Sequence, residues 1–505
     1  MNLHSSPPLR QAPAFSDPAG YDRLRELLLR EGYDENTILD AVGLDQFSVN
    51  DPDKLPLVLH RTASGSVLHT LIRLFLLEFP CESTRLEQAI GAPELAVWRE
   101  AGLVQVDGEK VTAAVKLLPY QGMVLACDLL TTLEHGDARH YVMGVSSSTR
   151  TLANLLIPRQ ARHTLDLGTG CGILAFLLAG HSDRVIAVDR NPRAVGMAAF
   201  NAQLNHLPQV ECRESDFFSA LVGEEYDLIA TNPPFVISPE NRYLFRDGGM
   251  TADTILQRIV TEAPRHLAEG GFCQILCNWA ETGEEDWGRR LAALFRESGC
   301  DVLVIRCESS DAATYAATWI MHTERADPGR YGRLFQEWLR YYEENGIKSI
   351  SSGIVVMRRR SGANHWFRAV SDPPRMVDHC GEAILQRFQA QDFLAAHQDA
   401  AALLTAALTI SPQVRLEKRL LPNQGRWEDE AVMITLRQGL VYTGTIDPLM
   451  AMALIRCDGS QSLGAILAGL AAERGLTQAE IAPPFCRLVR NLLENGFLLP
   501  TTVNQ

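Results

Sequence analysis

The side chains best suited to chemistry in this chain lie in the segment Asn232-Pro233-Pro234-Phe235, which follows an apolar run typical of a strand. The Asn232 side-chain oxygen can accept a hydrogen bond from a planar –NH2 group. The carbonyl of Pro233 can do the same, since the proline after it holds that residue extended. Two such bonds draw the nitrogen lone pair out of conjugation, and Phe235 can stack on the flat group. The plainer alternative is that the two prolines only end the strand and have no chemical role.

A glycine-containing turn precedes this segment in the chain. Residues 165–172 read Leu-Asp-Leu-Gly-Thr-Gly-Cys-Gly, between an apolar strand pattern and an apolar helix pattern. Glycines at such a turn let the backbone approach a ligand, and the helix start supplies unpaired N–H groups. A dinucleotide-binding turn needs Gly-x-Gly-x-x-Gly. Here Gly172 comes one residue too early for that pattern. Ile173 occupies the position at which a dinucleotide-binding turn needs a small residue.

An acidic residue follows the next apolar strand pattern, Val185 to Val188. Asp189 stands at the expected carboxyl end of that strand, where an acid can accept both hydroxyls of a ribose. The alternative is that Asp189 caps the helix that Pro192 begins. The strand before it favours the ribose role.

Together these segments resemble class I S-adenosylmethionine (SAM) methyltransferases of the Asn-Pro-Pro-Tyr/Phe branch, with their methyltransferase small domain. That branch includes HemK-type release-factor glutamine methyltransferases and RsmC-type ribosomal-RNA guanine-N2 methyltransferases. The resemblance implies SAM as the methyl donor, and no metal site is indicated by the sequence. It implies that the acceptor is held by Asn232, Pro233 and Phe235. It implies that SAM is bound by Asp166, Gly168, Thr169, Gly170, Gly172, Asp189, Arg190, Asp216, Phe217 and Asn232.

Two details bear on the acceptor. The glycine turn and the element Asp247-Gly248-Gly249 are close to the HemK pattern. Phe235 departs from it, because the protein-modifying enzymes usually carry Tyr there and several base-modifying enzymes carry Phe. A protein glutamine and an RNA base therefore both stay open as acceptors.

The fold class predicted is α/β, with three domains in the chain. Alternating strand and helix patterns over residues 146–370 indicate a Rossmann-like class I methyltransferase domain with a mostly parallel seven-stranded sheet. Residues 302–306 and 354–358 are the expected antiparallel pair. For residues 1–145 we predict a helical, winged-helix-like domain. For residues 371–505 we predict an α+β, winged-helix-like domain. The insertion between the two paired strands carries several aromatic residues. We expect them either to pack in the core or to form a lid over the acceptor pocket.

Composition limits which partners and which cellular compartment are expected for the protein. The chain of 505 residues has a formal net charge of −14, from 47 Lys+Arg and 61 Asp+Glu, which disfavours broad nucleic-acid binding. Its 11 cysteines lack paired spacing and predict reduced, mostly buried thiols without a zinc site. No apolar stretch typical of a signal peptide or membrane span is visible. A cytoplasmic enzyme without a membrane partner is expected, and the sequence gives no indication of its oligomeric state.

Three hypotheses follow for function. The first is a SAM-dependent N-methyltransferase acting on a planar amide or exocyclic amine of a macromolecule, either protein or RNA. The second is a biosynthetic N-methyltransferase acting on a peptide or small molecule, which the acidic charge and the aromatic insertion would suit. The third is a non-catalytic SAM-binding scaffold. The intact Asn-Pro-Pro-Phe segment favours the first.

Overall fold

A computed structural model describes residues 11–44, 53–135, 138–240, 244, 246, 254–283, 286–324, 328–370 and 375–501. The chain forms two compact units. The first comprises Met1–Leu152 and Gln160–Asp372, and the second comprises Ala153–Arg159 and Pro373–Gln505. Each unit has hydrophobic clusters of its own.

The N-terminal part of the first unit is mainly helical. Its helices are α1 (Ala19–Arg30), α2 (Glu35–Val42), α3 (Leu55–Arg61), α4 (Val67–Leu71), which continues as a π-helical turn (Ile72–Leu76), α5 (Ser83–Ile90), α6 (Ala92–Glu100) and α7 (Leu130–His135). Its strands are β1 (Cys81–Glu82), β2 (Val104–Asp107), β3 (Lys110–Ala113), β4 (Lys116–Tyr120) and β5 (Met123–Cys127). The first three form an antiparallel sheet in the order β1-β3-β2, and β4 pairs with β5.

The boundaries of α2 show how local sequence sets these elements. The Asp34 side chain accepts the Thr37 N–H at 3.0 Å, so it satisfies one of the N–H groups left unpaired at the helix start. Gly43 then ends the helix in the left-handed conformation, with φ of 62°.

The remainder of the first unit is built on one large sheet. Its strands are β6 (Ala161–Leu167), β7 (Ser182–Asp189), β8 (Val210–Glu214), β9 (Tyr226–Thr231), β10 (Leu267–Glu281), β11 (Cys300–Asp311), β12 (Ser349–Arg359) and β13 (Phe367–Val370). Its helices are α8 (Ser147–Leu155, which enters the second unit), α9 (Ile173–Ala179), α10 (Pro192–Leu204), α11 (Thr254–Glu262), α12 (Trp287–Phe295), α13 (Ala312–Glu324) and α14 (Pro328–Glu344). Short 3-10 turns cover Ala138–His140 and Ala263–His266.

The strand order in this sheet is β13-β11-β12-β10-β9-β6-β7-β8. All described neighbours are parallel except those of β12, which pairs antiparallel with both β10 and β11. The expected antiparallel pair is confirmed, with Val302 opposite Met357. The prediction of seven strands is wrong by one, because β13 adds an edge strand beside β11. Its four residues include an exposed arginine and give no apolar run that would reveal a strand.

The aromatic insertion packs partly in a core and lies partly beside the cavity. Trp338 and Tyr342 of α14 are 0% and 1% exposed, which confirms core packing for these two. The Tyr342 hydroxyl donates to the Ile237 carbonyl at 2.7 Å and ties the insertion to the chain beyond Phe235. Helix α13, in contrast, presents side chains to the cavity described below.

The second unit contains both helices and strands. Its helices are α15 (Gly381–Ala396), α16 (Ala400–Thr405), α17 (Pro448–Leu454), α18 (Leu463–Arg474) and α19 (Gln478–Glu494). Its strands are β14 (Arg375–Val377), β15 (Ala407–Ile410), β16 (Val414–Asn423), β17 (Arg426–Leu436), β18 (Gly439–Val441), β19 (Thr443–Ile446), β20 (Asp458–Ser462) and β21 (Leu498–Pro500). The fully buried Phe485 and Val489 of α19 lie at the centre of its core.

The 11 cysteines form no disulfide with one another, and most of them are buried. Within the described part of the chain, no helix is long and apolar enough to cross a membrane. The same residues contain no cluster of three or more His, Cys, Asp or Glu side chains arranged to hold a metal ion.

Candidate cofactor and acceptor site

A cavity of about 1090 Å³ lies where the parallel strands β6, β7 and β9 end. These strands are neighbours, so the residues after Leu167, Val188 and Thr231 meet at one edge of the sheet. Open α/β sheets bind their ligands at this edge. The Thr231 hydroxyl donates to the Leu167 carbonyl at 2.7 Å and joins the glycine turn to the Asn-Pro-Pro-Phe segment. The two predicted segments therefore share one cavity.

The three glycines of the turn differ in role. Gly168 and Gly170 have φ values of 80° and 56°, and a Cβ on either would meet nothing within 4 Å. Both line the cavity, together with Thr169. Gly172, at φ 96°, does not line it, and a Cβ there would lie 2.3 Å from the ring of Phe176. The first two glycines leave open space for a ligand, whereas the third is required by packing at the start of α9.

We expect Gly172→Ala to destabilise the fold by about 2–5 kcal/mol, since a left-handed backbone costs about 1–2 kcal/mol for alanine and overpacking adds about 1–3 kcal/mol. Chemical denaturation measures the free energy of unfolding. Gly223→Ala is the matched control, because Gly223 also has a positive φ of 81° but a Cβ there would meet nothing within 4 Å. Equal losses in the two variants would contradict the packing role of Gly172.

Asp166 lies behind the turn and does not line the cavity. The Thr169 hydroxyl and the Ala175 N–H both donate to its Oδ2, at 2.6 and 3.0 Å. Its Oδ1 is buried and has no hydrogen-bond partner among the described residues. Burial raises the pKa of this carboxyl to about 7 from its usual 3.8. In this structure Asp166 holds the shape of the turn.

This raised pKa predicts a pH dependence of stability. Between pH 4 and 7 folded Asp166 keeps a proton that the unfolded chain releases, so its contribution is lost as the pH rises. Asp166→Asn cannot titrate. We expect its free energy of unfolding, relative to wild type, to rise across this window by at most about 4 kcal/mol, at about 1.4 kcal/mol per pKa unit. Denaturation of the SAM-free protein at each pH measures the difference, and parallel curves would refute the assignment.

Asp189, at the end of β7, lines the cavity together with Arg190. Its Oδ2 accepts the Gly170 N–H at 3.0 Å, and its Oδ1 accepts the Asn191 N–H at 2.8 Å. Burial raises the pKa of this carboxyl. A carboxylate oxygen can accept more than one hydrogen bond, so two backbone bonds leave capacity for two ribose hydroxyls. The backbone bonds also hold the carboxylate still beside the glycine turn.

Asp216 and Phe217 line the cavity next to Asp189. Arg258 of α11 donates to Asp216 Oδ2 at 3.0 Å, and its guanidinium carbon lies 4.2 Å from the Phe217 ring centroid. Phe217 has a left-handed φ of 51°, and its carbonyl accepts the Ser215 hydroxyl at 2.7 Å. Sequence analysis missed Arg258, because it follows Asp216 by 42 residues and no motif contains it.

The acceptor segment is held by residues from elsewhere in the chain. Asn232 Nδ2 lies 3.4 Å from Ser148 Oγ and 3.3 Å from Thr149 Oγ1, while its Oδ1 is buried without a hydrogen-bond partner among the described residues. Phe235 packs edge-on against Trp319, with ring centroids 5.8 Å apart. Pro233 and these five residues all line the cavity. The predicted element Asp247-Gly248-Gly249 lies outside the described residues.

Four more elements contribute side chains to the wall of the cavity. Asn278 of β10 donates through Nδ2 to the hydroxyl of Tyr315 of α13 at 2.6 Å, and both side chains line the cavity. On another side, β4 and β5 contribute Lys116, Leu118 and Cys127. Sequence analysis did not place these residues, because the contacts join segments far apart in the chain.

The strand order with one reversed strand, the glycine turn and the Asn-Pro-Pro-Phe segment at one sheet edge define a class I methyltransferase. Residues 142–298 match the family model described as the methyltransferase small domain. Two domains of unknown function also match, DUF7059 over residues 30–114 and DUF7782 over residues 385–500.

The chain is similar to several glutamine methyltransferases. The release factor glutamine methyltransferase of Escherichia coli K12 is 34% identical over 190 residues, which are 35% of this chain and 65% of that protein. A putative protein N5-glutamine methyltransferase of Methanocaldococcus jannaschii is 32% identical over 146 residues, 28% of this chain and 73% of that protein. The ribosomal protein uL3 glutamine methyltransferase of Xanthomonas campestris is 34% identical over 141 residues, 25% of this chain and 44% of that protein.

This chain belongs to the same family of SAM-dependent methyltransferases as these relatives. The predicted resemblance is therefore confirmed, and SAM is the methyl donor of the family. The chain spans less than two thirds of the length of the E. coli relative, at 65%.

Proposed function

We propose that this protein transfers a methyl group from SAM to the amide nitrogen of a glutamine side chain in a protein. The observation that carries the proposal is the buried Oδ1 of Asn232, which has no hydrogen-bond partner among the described residues and lies at the cavity shared with the glycine turn. A buried amide oxygen left unsatisfied is unfavourable, and a carboxamide –NH2 is a group that would satisfy it. The names of the glutamine methyltransferase relatives support the same acceptor.

The cavity residues suit SAM. The open space beside Gly168 and Gly170 admits a ligand against the backbone, and in our proposal Asp189 accepts the ribose hydroxyls. Asp216 and Phe217 hold the adenine, with Arg258 fixing both side chains. When bound, SAM supplies an electrophilic methyl group on a sulfonium.

The residues of the chain then act by positioning. Asn232 Oδ1 and the Pro233 carbonyl accept the two hydrogens of the acceptor –NH2, which frees the nitrogen lone pair from conjugation with the carbonyl. The ring of Phe235, braced by Trp319, restricts the plane of the acceptor. Fixed orientation of two reactants supplies much of the rate enhancement in such a transfer, so no general base is needed. The proton on the methylated nitrogen leaves to water.

An exocyclic amine of an RNA base is the second candidate. Phe235, where protein-modifying enzymes of this branch usually carry Tyr, favours it. The net charge of −14 disfavours it.

We also propose that residues 1–145 contain a winged-helix-like domain beside the methyltransferase domain at 146–370. Helices α5 and α6, followed by the β2–β3 hairpin with β1 as its third strand, support this arrangement. For residues 371–505, helices α18 and α19 followed by β21, which pairs with β15, support a similar proposal. A translation protein as acceptor would place the enzyme in the cytoplasm.

The test uses methyl-labelled SAM and a lysate of host cells that lack this gene. Label removed by protease and not by ribonuclease is expected. Strong acid should then release it as methylamine, because hydrolysis of an N-methylated carboxamide frees the amine, whereas a methyl group on lysine stays with the amino acid. Label removed only by ribonuclease would identify an RNA base. No macromolecular label would overturn the proposal.

A further inference from the structure

We infer that Ser148 and Thr149 are positioning residues that fix the Asn232 carboxamide with its oxygen toward the acceptor. The inference rests on the proposed function and extends it to α8, outside both predicted segments. The two hydroxyl oxygens lie 3.4 and 3.3 Å from Asn232 Nδ2. Thr149 is 8% exposed, and both side chains line the cavity.

The hydroxyl groups are themselves held in place by Ser146 at the start of α8. Ser146 Oγ accepts the Thr149 N–H at 3.1 Å and lies 2.8 Å from Ser148 Oγ and 2.9 Å from Thr149 Oγ1. A serine hydroxyl donates only one hydrogen bond. Ser146 can therefore donate to only one of the two, and at least one of them must donate to Ser146. That hydroxyl presents a lone pair, not a proton, to Asn232.

This network, together with the –NH2 of the proposed acceptor, favours one of the two orientations of the amide. In the observed one, Nδ2 faces the hydroxyl oxygens and Oδ1 is left for the acceptor. Turned over, Oδ1 could accept a proton from at most one of the two hydroxyls, because the other donates to Ser146, and Nδ2 would point at the –NH2 of the acceptor. Two donors cannot bond to each other. Removal of the hydroxyls would let the amide turn over, so that Asn232 stays in place but loses its function.

The experiment compares wild type with Ser148→Ala/Thr149→Val, in which valine keeps the shape of threonine. The rate of methyl incorporation is measured at increasing concentrations of protein from the gene-deleted host lysate. We expect the maximal rate to fall about 10- to 100-fold, as for misoriented catalytic groups. The Kd for S-adenosylhomocysteine, from calorimetry, should stay within about twofold, since the cofactor residues are untouched.

Ser148→Ala/Thr149→Ser restores one hydroxyl and should recover most of the rate, which a purely structural role of Thr149 would not predict. Thr261→Val is the matched control. The Thr261 hydroxyl of α11 donates to the Gln257 carbonyl at 2.7 Å and the residue does not line the cavity, so its loss should leave the rate unchanged. If the double variant fails to fold, the single variants Ser148→Ala and Thr149→Val are each expected to show a smaller fall.

The outcomes separate the two ideas. Absence of methyl transfer by wild type would overturn the proposed function. Transfer by wild type at the same maximal rate as the folded Ser148→Ala/Thr149→Val variant would overturn the positioning role and leave the proposed function intact. A parallel loss of S-adenosylhomocysteine affinity would also overturn the positioning role, because the fall in rate would then arise at the cofactor site.

Discussion

Replacement of Asn232 by alanine is expected to lower the maximal rate of methyl transfer by about 10²- to 10³-fold, the range seen when one preorganised catalytic hydrogen bond is removed. The variant removes the oxygen that accepts from the –NH2 group and leaves the nitrogen lone pair in conjugation with its carbonyl. Affinity for S-adenosylhomocysteine should change little, because Asp189 and the glycine turn remain. Initial rates at saturating SAM, together with calorimetry, measure both effects.

Asn345→Ala serves as the control for this prediction. Asn345 Nδ2 also donates a hydrogen bond, to the Tyr341 carbonyl at 2.8 Å, but the residue does not line the cavity. A near wild-type rate for Asn232→Ala, with unchanged affinity for S-adenosylhomocysteine, would show that the acceptor is held by other groups. A loss of that affinity in step with the rate would instead make Asn232 mainly a cofactor residue.

Much of the sheet and the place of the site could be predicted from local sequence. The apolar runs that end at Leu167, Val188 and Thr231 predict parallel strands, and parallel strands bring the residues after them to one edge. The antiparallel pair of β11 and β12 follows from two apolar runs in the same way. Strand β13 could not be predicted in this way. An edge strand can form without an apolar run, because its position is set by pairing with the neighbouring strand.

The residues that support the site could not be predicted. Ser148, Thr149, Arg258 and Trp319 reach it from helices outside the two segments, and only the folded chain shows which of many hydroxyls, arginines and aromatics do so. A motif also does not distinguish a residue that touches a ligand from one that shapes the loop. Asp166 and Gly172 belong to the same turn as Gly168 and Gly170, yet they lie away from the cavity.

The second large effect is expected for Asp189→Ala, which should weaken S-adenosylhomocysteine binding by at least about 100-fold. Each hydrogen bond between a charged group and a ribose hydroxyl contributes about 1.5–3 kcal/mol, and each 1.4 kcal/mol corresponds to a tenfold change in affinity. The variant also frees the Gly170 and Asn191 N–H groups, which now donate to this carboxylate, so the turn loses part of its order. Calorimetric titration measures the Kd.

Asp189→Asn separates the charge from the contacts. The amide keeps one accepting oxygen of nearly the same position, but its NH2 faces a backbone N–H and cannot accept from it. An intermediate loss, about tenfold, is therefore expected. Since the acceptor side of the cavity is unchanged in both variants, their maximal rates at saturating SAM should approach that of wild type. An unaltered Kd in Asp189→Ala would mean that the carboxylate only orders the turn, as Asp166 does, and that the ribose is held elsewhere.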